Sequence, residues 1–116
     1  MAVEIDDEVS ILFVVKKSNR GNPKFLATTR NSGKLAGVTT LIGGKIEMNE
    51  SPEDCTRREA SEESGLIIPK PAIFPINLEP TYVSFGDKRR LFYLFYCYYR
   101  VEYGIPRRTE KSKHTE

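Results

Sequence analysis

The sequence predicts an α/β fold, with several strands and one helix in a single domain. Three observations carry that prediction. Val9 to Val15 is an apolar, β-branched run, which reads as a buried strand. Leu91 to Val101 (LFYLFYCYYRV) is a second run, long and aromatic, which suits a central strand buried on both faces. Between them lies a stretch with the start and stop signals of one well-capped helix. The chain has 116 residues, enough for one domain that hides about 65% of its unfolded surface.

In chain order, Lys16 to Pro23 carries Asn, Gly and Pro and reads as a hairpin loop. Lys24 to Thr29 (KFLATT) reads as a second strand. Asn31 to Gly37 is another loop, and Gly37 to Ile42 is a short strand leading into Gly43 and Gly44. Two adjacent glycines let the backbone turn tightly and approach a ligand closely.

The helix is predicted over Pro52–Ser64. Ser51 is a good N-cap, because its hydroxyl can accept from a free N–H of the first turn. Pro52 suits the first helical position, where its missing N–H costs nothing. Glu53 and Asp54 place negative charge at the positive end of the helix dipole. Gly65 can take the left-handed conformation that ends a helix. Most charges on this helix alternate in sign: Glu53 can meet Arg57, Asp54 can meet Arg58, and Arg58 can meet Glu62. Glu59, Glu62 and Glu63 break the pattern. They stand at i, i+3 and i+4 on one face, where like charges at i+4 cost about 0.2–0.5 kcal/mol. A hard divalent cation would turn that cost into a site, since oxygen ligands suit Mg²⁺ or Mn²⁺.

The stretch Gly44 to Leu66 resembles the Nudix box, G-x5-E-x7-R-E-U-x-E-E-x-G-U with U a bulky apolar residue. Gly44, Glu50, Arg58, Glu59, Glu62, Glu63 and Gly65 fill every fixed position, and Leu66 fills the second U. Ala60 fills the first U and is smaller than usual. With each residue type used at about 5–7%, a chance match at a given start is on the order of 10⁻⁸.

The resemblance implies an α/β/α sandwich around a mixed sheet, with the box helix on one face. It also implies hydrolysis of a nucleoside diphosphate linked to another group X. Glu59, Glu62 and Glu63 would be the metal ligands, with Glu50 as an outer ligand and Gly44 completing the site through its backbone. Arg58 would orient the glutamates, and Mg²⁺ or Mn²⁺ would be the cofactor. The general base varies within the family; here it is one of the box glutamates, or a later acid such as Glu102 or Glu110. Gly43, Gly44 and Arg30 are expected at the substrate, with Arg30 able to grip a phosphate bidentately. The segment Leu26–Gly44 also loosely resembles the upstream motif of coenzyme A pyrophosphatases, in Leu26, Thr28, Arg30, Gly37, Gly43 and Gly44.

After the helix, Pro69, Pro71, Pro75 and Pro80 restrict the chain to an irregular or edge path. Ser84 to Arg90 (SFGDKRR) reads as a polar, basic loop, whose Lys88, Arg89 and Arg90 can steer an anionic substrate. The domain is expected over residues 1–103. Residues 104–116 are charged and are expected to be a disordered tail. His114, the only histidine, lies in that tail. Relatives continue into a second helix that covers the far face of the sheet; this chain ends before it. An apolar face is therefore expected to be open, and self-association as a symmetric dimer is the expectation.

The two cysteines, Cys55 and Cys97, have no metal-type spacing, and a reduced, cytoplasmic chain is expected. Cys55 reads as a small packed thiol. No apolar run reaches the ~18 residues of a membrane span, and no signal peptide is seen. A net charge of +2, without an interleaved basic and aromatic patch, argues against a nucleic-acid partner. The expected partner is a small nucleotide. Two alternatives stay open: a catalytically weak module that binds a nucleotide, and a coenzyme A pyrophosphatase or RNA-decapping activity.

Overall fold

A computed structural model describes residues 4–19, 21–30, 37–107 and 112–115. In chain order the elements are β1 (Asp7–Lys16), β2 (Lys24–Phe25), β3 (Ala27–Arg30), β4 (Thr39–Lys45), α1 (Pro52–Ser64), β5 (Phe74–Pro75), β6 (Thr81–Phe85), β7 (Lys88–Tyr98) and β8 (Ser112–Thr115). Short 3₁₀ turns lie at Lys70–Ala72 and Val101–Tyr103. The strands form one mixed sheet in the order β5-β7-β1-β4-β3-β8, with β2 also on β1 and β6 on β7. β1 and β7 run parallel over a long register, Asp7 beside Arg90 to Val15 beside Tyr98. The other pairings are antiparallel.

One face of the sheet packs on α1. Leu12, Val14, Ile42, Phe95 and Cys97 point that way and are buried, with Ala60, Leu66 and Ile68 closing over them. The opposite face holds Ile11, Phe13, Val15, Leu94 and Tyr96, all half-buried. α1 is the only α-helix among the described residues. The aromatic run is therefore not buried on both faces, as its composition suggested. It alternates: Phe95 is 5% exposed and Tyr98 44%. Its Tyr96 instead stacks on Phe74 of β5, with centroids 5.5 Å apart, and meets Tyr98 edge-on at 5.8 Å.

The helix keeps its sequence-predicted limits. Asp54 N donates to Ser51 Oγ at 3.1 Å, and Gly65 ends the helix at φ 79°. Elsewhere, tertiary pairing changed the reading. The KFLATT strand is broken at Leu26, which is buried and donates its N–H to Val14 O at 3.0 Å. The chain there changes partner, from β1 to β4. Residues 84–90 are not a loop. Gly86 (φ 61°) and Asp87 make a two-residue hairpin turn, and Lys88 to Arg90 already belong to β7. A Gly-Asp pair between strands is a hairpin signal in its own right.

The expected disordered tail also differs from the structure. Ile67 N donates to Tyr103 O and Arg107 N to Ser64 O, both at 2.9 Å, so the segment crosses the C-terminal end of α1. Ser112–Thr115 then adds a strand to the edge of β3. Edge pairing is made by main-chain hydrogen bonds, so a polar, charged segment can join a sheet without an apolar pattern to announce it.

Candidate active site at the joint of α1 and β4

Gly43 and Gly44 were expected to form a turn. They lie inside β4, paired with Ile11 and Ser10, and neither has a positive φ. Their small size serves close approach. A Cβ on Gly43 would run into the Ser10 carbonyl and the Ile11 side chain, and a Cβ on Gly44 would stand 2.6 Å from Glu59 Oε1. The helix can thus lay its carboxylates directly on the strand. Gly43 N donates to Glu63 Oε2 at 3.2 Å. Glu59 is 4% exposed and Glu63 2%. Buried carboxylates are tolerable only with such partners.

Arg58 is the hub. Its Nε and Nη2 hold Glu50 with two bonds, at 2.8 and 3.0 Å. Its Nη1 reaches Glu59 at 2.8 Å and Glu62 at 3.3 Å. Nη2 also donates to Lys45 O at 3.2 Å. The bidentate bond from Arg58, with help from Glu47 N–H, holds the Glu50 carboxyl below the usual carboxylate range. The same bond to Glu50 pushes the Arg58 pKa up, so the guanidinium stays charged. Glu62, with its side chain 42% exposed, is the open member of the set.

Cys55 lies under this network. Its Sγ donates to Gly44 O at 3.6 Å and Lys45 O at 3.5 Å, and Arg58 Nη2 approaches it at 3.7 Å. Burial, aided by the nearby Glu50 carboxylate, pushes its pKa up to about 12. A thiol held protonated in this way is a poor nucleophile.

Two contributors, the Lys45 carbonyl and Glu47, were not singled out from sequence. Gly43 was, but as a substrate contact and not as the N–H that holds Glu63, because main-chain groups carry no residue pattern. Glu47 comes within 3.6 Å of Arg58; its signal was another acid three residues before Glu50.

The structure does not bring every candidate here. Arg30 ends β3, with its Cα beside Ser112 of β8. Arg90 pairs with Asp7 at 3.2 Å, and Asp7 also holds Lys45 at 3.3 Å. Glu102 sits on the Val101–Tyr103 turn, in a groove with Arg57 and Arg100 on the other flank of the helix. Glu110 lies outside the described residues. His114 is on β8.

The NUDIX domain family model matches residues 6–115. The chain is a Nudix domain. No curated protein matches it. Among solved structures, a MutT/nudix family protein from Enterococcus faecalis is 17% identical, with a TM-score of 0.77 over 99% of this chain and 44% of that one. The NUDIX domain of Shewanella oneidensis NrtR, complexed with ADP ribose, is 14% identical with a TM-score of 0.70, over 99% of this chain and 73% of that one. A C. elegans Ap4A hydrolase is 15% identical with a TM-score of 0.63, over 94% and 77%. This Nudix domain therefore spans less than half of the first of these relatives.

Nudix hydrolases generally use a divalent metal. The donor set of this domain fits one: carboxylate oxygens on one helix face, and a glycine whose missing side chain leaves room for Glu59. Among the described residues, no three acidic, His or Cys side chains are gathered as a ready cation site. In this arrangement Arg58 supplies the counter-charge that a cation would share. Nor is any helix among the described residues long and apolar enough to cross a membrane.

Proposed function

We propose that this Nudix domain is a pyrophosphohydrolase that cleaves the diphosphate linkage of a nucleoside diphosphate joined to another group, using Mg²⁺ or Mn²⁺. The observation that carries the reading is the set of glutamates on α1, laid against two side-chain-free residues of β4 and organised by one arginine. Glu59, Glu62 and Glu63 would hold the metal, with Glu50 behind them and the Gly44 backbone beside them. A bound divalent cation neutralises phosphate charge and lowers the pKa of a water. Arg58 ties Glu50, Glu59 and Glu62 to one guanidinium, and would orient those carboxylates toward a bound cation. The general base is sought first among the box glutamates, since Glu102 stands on the other flank; Glu110, outside the described residues, stays a candidate. Gly43 and Gly44 are the proposed contacts to the diphosphate, and Arg30 and Arg90, which lie away from the glutamates, are proposed as guides for more distant parts of the substrate.

The neighbours named above include an Ap4A hydrolase and a domain complexed with ADP ribose, so both ligand types belong in the first substrate panel. Release of a nucleoside monophosphate should require Mg²⁺ or Mn²⁺ and stop in excess EDTA. Substantial turnover in EDTA would sink this mechanism.

A second reading is a binding module without turnover. It is favoured by the ion-pair network that already satisfies the glutamates through Arg58. Tight ADP-ribose binding with no product over hours would select it.

The half-buried apolar face of Ile11, Phe13, Val15 and Leu94, which no α-helix covers among the described residues, is the feature that favours a homodimer. Sedimentation at micromolar concentration checks this; a monodisperse monomer would refute it.

A further inference from the structure

We propose that the groove on the far flank of α1 is a second ligand site, shaped for a nucleoside monophosphate. The groove has a volume of about 750 Å³, within the roughly 300–1,000 Å³ of small-molecule sites. Its walls include the rings of Phe74, Tyr98 and Tyr103 and the charged groups of Arg57, Arg100 and Glu102. None of Glu50, Glu59, Glu62 and Glu63 lines it. The geometry of the helix explains the separation. Arg57 stands two residues before Glu59, about 200° around the axis.

Three features suit a planar base carrying a phosphate. First, the rings offer open surface: Phe74 is 46% exposed and Tyr98 44%. Half-open aromatic rings in a concave site are stacking platforms for a base. Second, two cations line the groove. Arg57 Nε donates to Ile68 O at 2.8 Å and its Nη1 meets Asp54 at 3.5 Å, which holds the guanidinium at the wall, and Arg100, exposed just after β7, is the cation open to an anion. Lys17 Nζ, which does not line the groove, covers one face of the Tyr98 ring at 4.4 Å from its centroid, so a base would stack on the other face. Third, Glu102 places an acceptor in the same groove, which suits the donors of a ribose or an exocyclic amine. The proposal does not depend on the glutamates hydrolysing anything.

AMP in excess EDTA is the test, because chelation removes any metal-dependent binding at the box. Calorimetry should detect AMP binding to the metal-free chain. The double variant Arg100→Ala, Tyr98→Ser should weaken it by about tenfold or more, as loss of a charge-assisted bond and a stacking partner requires. Both residues are exposed, and an unchanged amide NMR spectrum elsewhere will show that the variant folds. Glu62→Gln should leave AMP affinity unchanged. No binding at millimolar AMP would overturn the proposal. So would binding that the double variant does not weaken, or that Glu62→Gln abolishes.

Discussion

Gly44 and Glu59 occupy each other's space. The carboxylate of Glu59 fills the position where a side chain at residue 44 would begin, with Oε1 2.6 Å from an ideal Cβ. The absence of that Cβ lets α1 press its acids onto β4. Gly44→Ala should therefore displace Glu59 from Arg58 and reduce metal affinity by about 10–100-fold, the usual effect of disturbing support around a metal ligand. Metal titration followed by calorimetry will check it. Unchanged affinity would mean that Glu59 is not a ligand.

Glu62→Gln and Glu63→Gln should each lower kcat by about 10²–10³, as removal of one transition-state charge contact does. Fold should survive, since in Glu63→Gln the new amide oxygen can still accept from Gly43 N–H, as the carboxylate does. Steady-state kinetics alongside thermal melts will separate the two effects. A variant with full activity would remove that glutamate from the machinery.

Arg58→Ala should be costly to the fold itself. It strips the counter-charge from Glu59 and Glu50, whose side chains are only 5% and 14% exposed. Leaving such charges unpaired costs about 3 kcal/mol. Urea denaturation will measure it, and Arg58→Lys should recover only part, because an ammonium cannot reproduce the bidentate grip on Glu50.

Glu50 gives acid sensitivity. Its folded pKa lies below the unfolded value, with the Arg58 bond as the main cause of the lowering. The folded state therefore binds this proton less readily. The contribution is present above the unfolded value near 4.5, and it is lost as pH falls through the depressed folded value. Melting temperature should fall below about pH 4.5, and Glu50→Gln should flatten that limb. An identical pH profile in the variant would assign the acid loss to other groups.

Cys55 should resist alkylation at pH 8 in the folded protein, because burial pushes its pKa up to about 12 and its Sγ–H is engaged with the Gly44 and Lys45 carbonyls. Mass spectrometry after iodoacetamide treatment will show it. Cys55→Ala should change kcat little. A dead variant with normal metal binding would restore the thiol as a candidate nucleophile.

The local devices were legible in the sequence by itself. The cap at Ser51, the stop at Gly65 and the i, i+3, i+4 face of Glu59, Glu62 and Glu63 all follow from backbone geometry within one helix, where neighbours in space are neighbours in the chain. The match to the Nudix box named the family from the same few residues. The strands beside them were found as apolar runs, but their partners were not. Tertiary structure alone decided that Gly43 and Gly44 lie in a strand and not in a turn, because the need for a missing side chain comes from Ser10 and Glu59, distant in sequence. It alone decided that the KFLATT segment breaks at Leu26 to serve two partner strands, and that Ser112–Thr115 pairs with β3. Main-chain hydrogen bonds make those choices, and they carry no side-chain signature. It also separated Glu102 from the glutamates of α1, since the order of strands in a sheet is a matter of packing and loop closure that no residue in the segment encodes.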